Sequence, residues 1–130
     1  MEKLMKKYNT TIKDGREIYI PNWAVDVSLE NLTQAGKLFG TENIINISEL
    51  NIPAAVVAIM GCQDHKLAAR LVKYFVCQVR IDGNKITEET INTMFDGDLA
   101  VVIELFTHVI HSQYSEFFSL GLAKAHSPDK

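Results

Sequence analysis

Apolar blocks alternate with short polar joints along the chain, and the period of each block predicts an element. Thr10, Thr11 and Ile12 are strand formers, as are Ile18, Tyr19 and Ile20. Between them lies Lys13-Asp14-Gly15-Arg16, and Asp-Gly in a short loop marks a two-residue turn, so residues 8–20 read as a β-hairpin closed by Pro21. An isolated hairpin is marginal in water, so this one must lie on helices or on a neighbouring subunit. From residue 28 the period becomes helical. Ser28 is placed to cap a helix through Phe39, with Leu29, Leu32, Ala35, Gly36 and Phe39 on one face and Gly40 as its stop. Residues 48–60 follow, with Pro53 tolerated only near a helix start. Residues 54–60 have no polar face and predict the central element. Asp64 caps a helix over residues 65–80, whose apolar members are Leu67, Ala68, Leu71, Val72, Phe75, Val76 and Val79. Thr87 caps a short helix through Phe95, Asp96-Gly97 breaks it, and Asp98 caps a last helix over residues 99–118. The pattern predicts a mainly α fold: an N-terminal β-hairpin, then a compact bundle of four to five helices over residues 28–118. Residues 119–130 carry no periodicity and are expected to fray.

Length and charge narrow the class. At 130 residues the chain reads as a single domain, 1–130, long enough to bury a core without disulfide or metal staples. The formal net charge of −3 is unlike the strongly basic balance of a nucleic-acid binder, so no nucleic-acid partner is expected. Cys62 and Cys77 lack CxxC or Cys/His ligand spacing and read as reduced, mostly buried thiols, although spacing alone leaves a disulfide open. The N-terminal stretch has no apolar run of signal-peptide length. The longest apolar run, IPAAVVAIMGC, is eleven residues, against the ~20 that span a bilayer. A cytoplasmic protein with no membrane partner is expected.

The most patterned polar stretch is RIDGNKITEETINTMFDGDL, residues 80–99. An EF-hand loop begun at Asp82 would carry Ile86 at its fifth position and Thr87 where the sharp turn needs glycine, which excludes calcium of that type. Glu88 and Glu89 are adjacent, so they point to different sides of a helix, and both lie in its first turn, where the helix dipole favours negative charge. The acids of this stretch are cap and turn chemistry, and the stretch is a joint.

Other chemistry is sparse. Glu104, His108 and His111 share one side of the last helix and could in principle hold zinc or iron. No HExxH is present and no second helix supplies a matching set, so with Ser115 the trio reads as the centre of a solvated polar face. No Gly-x-Ser-x-Gly elbow and no phosphate-cradling glycine loop appears. No enzyme, metal or cofactor is expected. Lys66, Arg70, Lys73 and Arg80 gather opposite the apolar face of their helix, a pattern that suits an anionic partner or an ordinary solvated face.

The informative feature is apolar excess. On the last helix Leu99, Val102, Ile103, Phe106, Val109, Ile110 and Phe117 form one stripe, and Val101, Leu105 and Tyr114 widen it. The arc covers roughly two-thirds of the circumference, where a one-sided surface helix uses about 100°. Two readings stay open: this helix is central in the bundle, or its outer edge meets another chain through Val101, Leu105, Tyr114 and Phe118.

The C-terminal half, VRIDGNKITEETINTMFDGDLAVVIELFTHVIHSQYSEFF over residues 79–118, resembles the end of bacteriophage tail assembly chaperones. In those small helical proteins an Asp-Gly turn, a capped short helix and a break precede a long helix rich in aromatics at its end. TTIKDGREIYIP, residues 10–21, resembles the short strands they place before their helices. The resemblance implies a non-enzymatic protein that coats a hydrophobic helical partner, the tape-measure protein, in the cytoplasm of the infected bacterial host. It also implies possible self-association. The alternative in the same setting is a small structural tail or baseplate subunit retained in the virion. Trp23 and Gly36-Lys37 acquire no role from it.

Overall fold

The computed structural model describes residues 7–125 and the side chains of residues 8–121. Two strands, β1 (Lys7–Thr11) and β2 (Glu17–Pro21), form the expected antiparallel hairpin, with Tyr8 opposite Ile20 and Thr10 opposite Ile18. Its loop is one residue longer than expected. Ile12 N–H donates to Arg16 O and Gly15 N–H to Ile12 O, with Gly15 at φ 95°, so Lys13-Asp14-Gly15 makes a three-residue turn.

Six helices follow among the described residues: α1 (Val25–Phe39), α2 (Thr41–Ile47), α3 (Ile52–Met60), α4 (His65–Val76), α5 (Ile91–Phe95) and α6 (Leu99–Ala125). The mainly helical fold behind an N-terminal hairpin is thus as the pattern predicts, with one more helix than expected. α2 is only seven residues long and buries Ile44 and Ile47, too short a segment to show a period. α1 begins three residues before Ser28. Asp26 sits in its first turn, where a carboxylate favours the helix dipole, and Ser28 O accepts a hydrogen bond from Tyr114 Oη at 2.7 Å.

The stretch predicted to run on as helix to Arg80 instead turns into strand. β3 (Arg80–Ile81) pairs with β2, Ile18 opposite Ile81, and β4 (Asn84–Lys85) pairs with β3, giving a four-stranded sheet of order β1-β2-β3-β4. Asp82 and Gly83, at φ 49° and 82°, form the two-residue turn between them. Asp82 N–H donates to Glu17 O at 2.8 Å, and Glu17 N–H to the Asp82 carboxylate at 3.1 Å, which ties this joint to the first hairpin.

The centre of the molecule is α6. It packs against α2, α3, α4 and α5, and the hairpin lies along it. Leu105, Phe106, Thr107, Val109 and Ile110 are fully buried. Phe106 stacks with Phe39 and Phe75 at centroid distances of 5.8 and 5.6 Å, joining α1, α4 and α6. Gln113 grips the hairpin's exit: its Nε2 donates to Pro21 O at 2.9 Å and its Oε1 accepts from Trp23 N–H at 3.2 Å. Trp23 meets Phe75 edge-on at 5.2 Å. α6 continues past Phe118 to Ala125, and residues 126–130 of the expected tail lie outside the described residues.

Candidate functional site

α3 is where the structure departs most from the sequence reading. Asn51 caps it, its side chain accepting from Ala54 N–H at 3.1 Å, and Pro53 stands in the first turn, where a missing N–H costs nothing. Every residue from Ile52 to Met60 is apolar, which suggested a central helix. It is peripheral. Only Ala55 and Ala58 are buried, facing inward at a spacing of three, while Val57 is 65% exposed and Met60 80%. Small side chains let α3 approach its neighbours closely, Ile52 and Ile59 pack partly against the core, and Val57 and Met60 face solvent.

The start of α6 extends this surface, since Leu99 is 69% exposed. Together the two helices border an open cleft of about 570 Å³. Ile52, Val56, Ile59 and Met60 form one wall, Leu99 and Val101 the other, Lys13, Asp14 and Asp98 form the polar rim, and the buried Glu104 lines the cleft beneath them. An apolar patch with a polar rim is the usual form of a protein-binding surface. Its chemistry suits the apolar face of a helix.

The residues expected to meet a partner lie elsewhere. Leu105 is fully buried and Tyr114 is 2% exposed, both covered by the chain's own helices. The wide apolar arc of α6 is used internally because this helix has neighbours on nearly every side. Tyr114 is a core pin, and burial pushes its hydroxyl pKa up to about 12. Val101 is buried but reaches the floor of the α3 cleft. Phe118 is half-buried and, with exposed Phe117, borders a separate opening of about 460 Å³ against Leu32, Thr41 and Ile44. The four are therefore not one surface.

The supposed polar face of α6 is also interior. Glu104 and His108 are buried beneath the hairpin, and His111 is half-buried. Glu104 Oε2 accepts the Lys13 N–H at 3.0 Å, and Tyr8 Oη and His108 Nδ1 stand 3.0 Å apart. His111 Nδ1–H donates to Ser48 O at 2.8 Å. Burial, and then the neighbouring His111, hold the His108 pKa below its ordinary value. Glu104 Oε2 lies 3.8 Å from His108 Nε2, beyond hydrogen-bond distance. These groups anchor the hairpin on the central helix. Among the described residues no three His, Cys, Asp or Glu side chains are placed to hold a metal ion. Cys62 and Cys77 are half-buried free thiols, and burial pushes that of Cys77 up. Among the described residues no helix is long and apolar enough to cross a membrane.

The sequence reading missed Val56, Val57, Met60 and Leu99. The signal was present in the alanines: a truly central helix would carry large side chains on the face that Ala55 and Ala58 occupy.

Comparison with known families finds a match to the family described as phage tail assembly chaperone protein, TAC, over residues 14–124. Neither curated proteins nor solved structures give a match.

Proposed function

The chain belongs to the phage tail assembly chaperone family, and on that premise we propose that it binds the tape-measure protein during tail morphogenesis, holding the apolar face of a helical segment in the cleft between α3 and the start of α6. It acts by binding, without catalysis, inside the infected host cell. The observation that carries this reading is the exposure of Val56, Met60 and Leu99 around one cleft, on helices whose other faces are packed against the core. A long hydrophobic client aggregates when its apolar faces meet each other. A carrier needs a rigid apolar surface that competes for those faces without collapsing itself. α3, about 13 Å long from its nine residues, matches two to three turns of a client helix, so each contact is weak and a client would be coated by many copies.

Co-expression with the tape-measure protein tests the proposal. The native chain should keep the client in the soluble fraction, and Val56→Glu with Met60→Glu, both on the cleft wall, should abolish this while the chaperone itself stays folded. Client solubility that is the same with the native chain, the double variant or no chaperone would refute it.

A further inference from the structure

A second surface differs from the α3 cleft in sign and position. Residues 65–80 contain no Asp or Glu, in a chain whose net charge is −3. Lys66, Arg70 and Lys73 recur there at i, i+4 and i+7 on the solvent side of α4, all exposed. Such spacing puts them on one face. Among the described residues none of the three has an acidic partner within ion-pair distance, in contrast to Arg16, which is bound to Asp14 at 2.6 Å.

Beside this stripe runs a groove of about 420 Å³ between α1 and α4. Its floor is Leu38, Leu67 and Leu71, and Leu67 is 40% exposed. Lys37 stands on its α1 side, and its one lining acid, Asp64, accepts the Leu67 N–H at 3.1 Å as the cap of α4.

We propose that this groove docks an acidic amphipathic helix of a partner protein, with apolar side chains on the leucines and carboxylates along the Lys66–Arg70–Lys73 stripe. The charge pattern selects the occupant. Lys66 and Lys73 are about 10 Å apart along the axis, so carboxylates two turns apart on a facing helix meet them in register. A phosphate backbone would match the cations but leave the leucine floor against charged oxygens, and the acidic remainder of the chain repels a long polyanion. An acidic helix places its apolar stripe and its flanking charges at the spacing this groove offers. The site is independent of the α3 cleft and of its occupant.

Two synthetic helical peptides of about 18 residues, with the same leucine face but flanked by Glu or by Lys, test this by fluorescence anisotropy. The measurement contains no tape-measure protein, so its failure leaves the α3 reading standing. The Glu peptide should bind and the Lys peptide should not, and binding should weaken steeply between about 0.05 and 0.5 M salt. Arg70→Glu with Lys73→Glu should reduce affinity at least about tenfold, and the milder Arg70→Gln with Lys73→Gln by less. Folding of each variant is checked by circular dichroism, and the salt titration of the native chain needs no variant at all. Equal binding of the two peptides, salt-independent binding, or affinity for single-stranded DNA above that for the Glu peptide would overturn the proposal.

Discussion

Replacing Leu105 with alanine, beside the same experiment at Val57, tests which helix holds this protein together. Leu105 is 0% exposed on α6. Its truncation removes buried carbons and leaves a cavity whose walls belong to several packed helices and cannot all move in. Leu→Ala changes at such sites cost about 2–5 kcal/mol, and full burial places this one near 3–4. That is a large part of the ~5–15 kcal/mol that stabilises a typical domain. With a urea dependence of roughly 1–3 kcal/mol per molar, the unfolding midpoint should fall by about 1–4 M. Val57 is 65% exposed on α3, so Val57→Ala should lie within about 0.5 kcal/mol of the native chain. The assay is equilibrium urea unfolding followed by circular dichroism, with both variants and the native chain fitted to one slope. A cost for Val57→Ala equal to or above that for Leu105→Ala would refute the assignment of α6 as central and α3 as peripheral. A charge at the same position, Leu105→Glu, reports on folding and not on binding. That substitution buries a carboxylate in the core and should unfold the chain, so a lost association would say nothing about a binding surface.

Other outcomes follow from particular contacts. His108 has a folded-state pKa below the unfolded value of 6.5, so the unfolded chain binds a proton first; stability is full above about pH 6.5 and falls as pH drops through that value toward the folded pKa. Urea midpoints measured from about pH 8 to pH 5 should show this decline, and His108→Gln should flatten it. Tyr114→Phe removes the 2.7 Å hydrogen bond to Ser28 O in a partly buried site and should cost about 1 kcal/mol, read from the same unfolding curves. Gly83 holds φ 82° with open space where a Cβ would stand, so Gly83→Ala should cost about 1–2 kcal/mol from backbone strain alone, visible as a lower thermal midpoint. Mass spectrometry of purified phage particles should find the chain absent or far below the tail-tube subunit; stoichiometric amounts would mark a structural subunit instead.

Much of the fold was legible because local rules and tertiary packing agree there. Asp64 and Asp98 each place a side-chain oxygen against the opening N–H groups of a helix, and Asp96 at φ 49° with Gly97 at 76° makes the break before α6. The Asp82-Gly83 turn was legible as a turn but not as a hairpin, since β3 and β4 have two residues each and depend on β2 for pairing. The polar side of α6 was misread for a related reason. Glu104 and His108 look solvated on a wheel, but a hairpin nearly a hundred residues away in sequence covers them and supplies Lys13 N–H and Tyr8 Oη as partners. Helical period reports which residues share a face; it does not report what lies across from that face.

The same limit explains the misplaced surface, and it bears on how such a chaperone works. Hydrophobicity ranks α3 as the best core helix, yet burial goes to the element that can be surrounded. α6, with 27 residues against nine, spans about 40 Å and touches the five other described helices as well as the hairpin, so its apolar arc is satisfied from within. α3 is seated by two buried alanines with Ile52 and Ile59 partly packed beside them, and Val57 and Met60 are left over. Those side chains contribute little to the chain's own stability, because most of their surface stays in water whether the chain is folded or not. A surface of that kind can bind and release an apolar client without disturbing the fold that carries it. Substitutions there should therefore separate cleanly from those in α6: client binding lost with an unchanged unfolding midpoint on α3, both lost together on α6.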